Sequence, residues 1–76
     1  MPTQQECIDQ CAADEVTCQR NAEAALQTML ASCDTISDPT EKNLCIAAAY
    51  DAFGNNIRAC RETYTNCVQR CKDRYP

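Results

Sequence analysis

Cys33-Asp34-Thr35-Ile36-Ser37-Asp38-Pro39-Thr40-Glu41-Lys42-Asn43-Leu44-Cys45 is the centre of a mirror. Pro39 lies six residues from Cys33 and six from Cys45. Moving outward, Cys18 and Cys60 are each 21 residues from Pro39, Cys11 and Cys67 each 28, and Cys7 and Cys71 each 32. The residue numbers of every such pair sum to 78. Eight cysteines allow about 105 full pairings, but two rods of equal rise per residue, folded back at Pro39, bring each cysteine opposite one partner. The spacing therefore predicts an all-α fold, an antiparallel two-helix hairpin with four inter-helix disulfide rungs: 7–71, 11–67, 18–60 and 33–45.

The local signals agree with two long helices. Thr3-Gln4-Gln5-Glu6 has the pattern of a capping box, so the first helix is expected over about 4–33. That stretch holds no Gly or Pro and is rich in Ala. Residues 34–38 form the expected turn. Asp38 suits an N-cap, Pro39 the first helical position and Glu41 a second capping box, so a second helix is expected over about 39–73. On a helical wheel the four cysteines of each arm fall within an arc of about 80°. Ala22, Ala25 and Met29 share the first arc, and Ala49, Phe53 and Asn56 the second. Gly54-Asn55-Asn56 offers a place for the second helix to break, but the equal gaps 18–33 and 45–60 argue that it continues, kinked at most. The whole chain, 1–76, reads as one domain.

The same sum rule places Phe53 against Ala25, Met29 against Ala49 and Tyr64 against Asp14. It also sets the acidic start of the first arm (Glu6, Asp9, Asp14, Glu15) beside the basic end of the second (Arg58, Arg61, Arg70, Lys72, Arg74). Exposed pairs of this kind contribute under about 1 kcal/mol each.

Two helices bury one seam. Rotated past it on one side lie Ile8, Ala12, Leu26 and Leu30 of the first helix and Ile46, Tyr50, Ile57, Tyr64 and Val68 of the second. The other side carries Gln10, Asp14, Thr17, Asn21, Thr28, Ser32, Asn55, Asn66 and Arg70. The expected shape is a ribbon with one apolar and one polar side. An apolar side of this extent marks an interaction surface, used by a protein partner or by a second copy in a two-fold homodimer.

Composition narrows the function classes. Cysteine is about a tenth of the chain, the level of a disulfide scaffold, and such a framework belongs in an oxidising compartment: extracellular, periplasmic or the mitochondrial intermembrane space. The residues Met1-Pro2-Thr3-Gln4-Gln5 show neither the basic start nor the apolar run of a secretory signal, so a trimmed leader or another export route is expected. No stretch approaches the ~20 apolar residues of a transmembrane segment. A net charge of −4 disfavours nucleic acid and anionic membranes. The absence of histidine removes Cys–His and Ser–His–Asp catalysis and any Cys/His zinc site. No Cys-x-x-Cys is present, and no catalytic residue or cofactor is assigned; the chain is not expected to be an enzyme. The alternative chemistry is thiolate binding of Cu(I) or Zn(II), since Cys7/Cys11 and Cys67/Cys71 are i, i+4 pairs that set two thiols on one helix face.

The nested pairs Cys7-x3-Cys11 and Cys67-x3-Cys71 resemble those of cystine-stapled helical hairpins, the plant α-hairpinins and the coiled-coil-helix (CHCH) proteins of the mitochondrial intermembrane space. CHCH proteins use Cys-x9-Cys, where here ten residues separate Cys7 from Cys18 and Cys60 from Cys71. The resemblance covers architecture and shares no functional motif; it implies the hairpin fold and an oxidising compartment. The expected function is a secreted, non-enzymatic binding or structural module of toxin, defence or effector type. The alternatives are a thiolate metal-binding protein and a CHCH-like intermembrane-space factor.

Overall fold

The computed structural model describes residues 2–76 and contains two helices, α1 (Gln4–Cys33) and α2 (Pro39–Arg74). The first bounds match those expected; α2 ends one residue later than expected. Thr3 caps α1 by accepting from the Glu6 amide at 3.1 Å. Asp38 caps α2 by accepting from the Thr40 amide at 2.8 Å, with Pro39 in the first turn, where its missing N–H costs nothing. Between them the Asp34, Thr35 and Ile36 amides donate to the carbonyls of Leu30, Ser32 and Cys33. Lys42 Nζ reaches back across the turn to Asp34 Oδ1 at 3.6 Å.

All four expected rungs are present, and no cysteine is free. Their Cα–Cα distances are 5.7, 5.8, 5.8 and 5.6 Å from the open end to the turn. The helices therefore keep one spacing at every rung. The radius of gyration is 17.3 Å, against about 11 Å for a globular chain of this length. The extents, 57 × 15 × 9 Å, are those of a rod two helices wide.

α2 passes through Gly54 without interruption. The glycine lies on the solvent side, has ordinary helical φ, and leaves open space where a Cβ would sit. No turn or close approach requires it.

The seam holds Cys11, Ala22, Leu26, Cys33, Ala49, Cys60 and Cys71 as its fully buried residues. Four of the seven are half-cystines, so sulfur supplies much of what a larger domain would build from aliphatic side chains. One series of buried and half-buried positions repeats at intervals of three, four and four. In α1 it runs 8, 11, 15, 19, 22, 26, 30, 33; in α2 it runs 46, 49, 53, 57, 60, 64, 68, 71, and half-buried positions 4, 7, 18, 29, 42, 45, 52 and 67 lie beside it. An eleven-residue repeat drifts little from the straight helical period, which lets two helices share one seam over seven turns.

This seam lies to one side of the cysteine line, and several expected pairings change with it. Leu26 is buried at 8% exposure, whereas Ala25, expected opposite Phe53, is exposed, as is Asn56. Met29 and Phe53 are half-buried. The short cystine side chains bridge one edge of the seam, and the bulkier Leu26 closes the other. The carboxylate beside Tyr64 is Glu15, which lines a groove with it, rather than Asp14, which is exposed and accepts from Gln10 Nε2.

Candidate interaction surface

Each rung joins one buried cysteine to one half-exposed cysteine. Cys71, Cys11, Cys60 and Cys33 are buried at 0–3% exposure; their partners Cys7, Cys67, Cys18 and Cys45 are half-exposed. The buried members occupy the eleven-residue repeat itself. The half-exposed members stand one residue before repeat positions 8, 19, 46 and 68, and so turn toward the other side of the ribbon. The rungs are thus visible on the polar side, where they line grooves with Arg70, Asn21, Thr28 and Ser32.

On that apolar side Ile8, Leu30, Ile46, Ile57, Tyr64 and Val68 are half-buried and Tyr50 is 54% exposed. Leu26, expected among them, belongs to the seam instead. Val16 extends the same flank and is 46% exposed. It follows Ile8 and Ala12 at four-residue intervals, a signal already present in the chain. Leu44, at 67% exposure the most open of the large apolar residues, sits on the opposite side of α2 from the seam and does not join this flank.

One polar feature interrupts the flank. Ala12, Glu15, Val16, Gln19, Arg61 and Tyr64 line an open groove of about 390 Å³. The Glu15 carboxylate accepts from Gln19 Nε2 at 3.0 Å and lies 3.8 Å from Arg61 Nε. This is the one ion pair, among the described residues, between the acidic and basic stretches that face each other. Three other acids are held within their own helices: Asp9 accepts from Gln5, Asp14 from Gln10 and Asp73 from Gln69. Residues four apart on one helix are surface neighbours, and these carboxylates are engaged there, so the cysteines rather than the charges tie the two arms together.

The alternative thiolate chemistry meets an oxidised ladder. Cys11, Cys67 and Cys71 bring their sulfurs within 4.8 Å of one another, but all three belong to rungs and none is a thiolate. Among the described residues no helix is long and apolar enough to cross a membrane. No protein-family model matches the chain, nor does any curated protein or solved structure. Fold and rungs together define a small disulfide-stapled α-helical hairpin.

Proposed function

We propose that this hairpin is a non-enzymatic, secreted binding module, of toxin, defence or effector type, whose rigid ladder presents the apolar flank to a protein surface. The observation that supports this reading is the flank itself. Ile8, Leu30, Ile46, Tyr50, Ile57, Tyr64 and Val68 remain partly open along one side of a rod in which seven of the described residues are fully buried. Each rung removes freedom that the chain would otherwise lose on binding, so little ordering cost opposes the contact. Four closed rungs suit an oxidising compartment.

The simplest occupant is a second copy, related by two-fold symmetry, giving a four-helix bundle in which both flanks are covered. Sedimentation velocity of the oxidised protein over a rising concentration series tests this directly. The expected result is a concentration-dependent dimer that Ile57→Asp abolishes with all rungs intact. A wild-type protein that stays monomeric at high micromolar concentration overturns self-association.

A further inference from the structure

The two rungs at the open end stand apart from the others. Cys11 Sγ lies 3.5 Å from Cys71 Sγ, although the two belong to different disulfides. Neither sulfur carries a hydrogen, so this is a nonbonded sulfur–sulfur contact. Its cause is the tilt of Cα–Cβ bonds toward the N-terminus of each helix. In an antiparallel pair that tilt drives Cys11 and Cys71 toward each other and Cys7 and Cys67 apart. Elsewhere the rungs are seven and fifteen residues apart in each arm, roughly 10 and 22 Å along the axis, too far for their sulfurs to meet.

The surroundings differ as well. Cys7 and Cys67 open onto a groove of about 620 Å³ that they line with Cys71, Arg70, Asp73 and Arg74, a net charge of +1 from the last three. The grooves beside the other two rungs are lined by Asn21, Ala22, Asn56 and Ala59, and by Thr28, Met29, Ser32, Ala48 and Ala49, all uncharged. Guanidinium groups favour both an attacking thiolate and a departing one.

We infer that Cys7, Cys11, Cys67 and Cys71 form one exchange-active unit that takes two electrons from an external dithiol and passes its disulfide inward. A thiolate of the dithiol attacks Cys67 Sγ. The Cys11–Cys67 bond breaks, its electron pair leaves on Cys11, and a mixed disulfide forms at Cys67. The Cys11 thiolate attacks Cys71 Sγ; the Cys7–Cys71 bond breaks and its electron pair leaves on Cys7, which is protonated from water. The second thiol of the dithiol attacks the dithiol sulfur of the mixed disulfide, losing its proton to solvent, and releases Cys67, which is protonated in turn. In balance, the dithiol becomes a disulfide and the protein holds a Cys11–Cys71 bond and two thiols, Cys7 and Cys67. Entry at Cys7 gives the same product through the Cys71 thiolate. The new bond needs the two sulfurs to close by about 1.4 Å to bonding distance. It joins the two cysteines buried at 1% exposure each and frees the two that face the groove. This goes beyond the binding role, since it makes one end of the rod a reductant-responsive site.

Partial reduction of the oxidised protein with dithiothreitol, trapping with N-ethylmaleimide and peptide mapping tests the inference. Cleavage before Asp9 separates Cys7 from Cys11, and cleavage after Arg70 separates Cys67 from Cys71. The expected two-electron product carries label on Cys7 and Cys67 with Cys11 linked to Cys71. Label on both members of one original rung, or first opening at 18–60 or 33–45, overturns it. A second arm uses Cys7→Ser/Cys67→Ser: the variant is expected to oxidise to three disulfides including 11–71. Two persistent free thiols at Cys11 and Cys71 in the folded, helical variant refute the inward transfer.

Discussion

The Gln4 side chain donates from Nε2 to the Tyr75 carbonyl at 2.8 Å, a contact between residues 71 apart in the chain. It lies beyond the outermost rung and closes the open end of the hairpin. Tyr75 in turn caps α2, its amide donating to the Cys71 carbonyl at 2.9 Å. A partly buried neutral hydrogen bond contributes about 1 kcal/mol. Gln4→Ala is therefore expected to speed amide exchange at Arg74 and Tyr75 while leaving the thermal midpoint nearly unchanged, because the 7–71 rung still holds the two arms. Hydrogen exchange followed by NMR checks both halves of the statement.

Gly54 fills no structural need in α2. Gly54→Ala is expected to stabilise the protein by about 1 kcal/mol, the helix-interior difference between the two residues. The new methyl meets no neighbour within 4 Å. Chemical denaturation with the rungs intact reads the change. A destabilised variant would mean that the helix bends or opens at this point in solution.

The 18–60 rung governs the middle of the ladder. Without it the neighbouring rungs, 11–67 and 33–45, are separated by 22 residues in each arm. Cys18→Ser/Cys60→Ser is expected to cost about 2–4 kcal/mol. Far-UV circular dichroism should show helix retained at room temperature and a lowered midpoint on heating.

Leu26 and Ile57 separate stability from association. Leu26 is buried in the seam, so Leu26→Asp places a carboxylate where no partner waits and is expected to lower stability by several kcal/mol. Ile57 is half-exposed on the flank, so Ile57→Asp is expected to weaken association while changing monomer stability far less. Thermal melts and sedimentation, run on both variants, distinguish the two effects.

The order of the cysteines about Pro39 carried the architecture. Equal arms of equal rise leave one arrangement in which every cysteine meets a partner, and that arrangement holds at all four rungs. The caps at Thr3 and Asp38 were legible because each is local, a side-chain oxygen accepting from a backbone amide two or three residues further on. The spacing placed Ile8, Ala12 and Leu30 on one flank of the first helix; Val16, four residues beyond Ala12, was not read as part of it, and Leu26 was placed there although it packs in the seam.

What the tertiary structure alone decided is the rotation of each helix about its axis. Wheel geometry places residues in an arc of about 80° but not the centre of the seam within it. That centre depends on how far a cystine reaches and how much room the side chains beside it need. Packing brought Leu26 inside and left Ala25 outside, set Glu15 rather than Asp14 beside Tyr64, and buried one cysteine of every rung while exposing the other. The contact between Cys11 and Cys71 is a further product of that rotation together with the Cβ tilt. Chain order determined which cysteines pair; side-chain volume and direction determined which sulfurs face solvent.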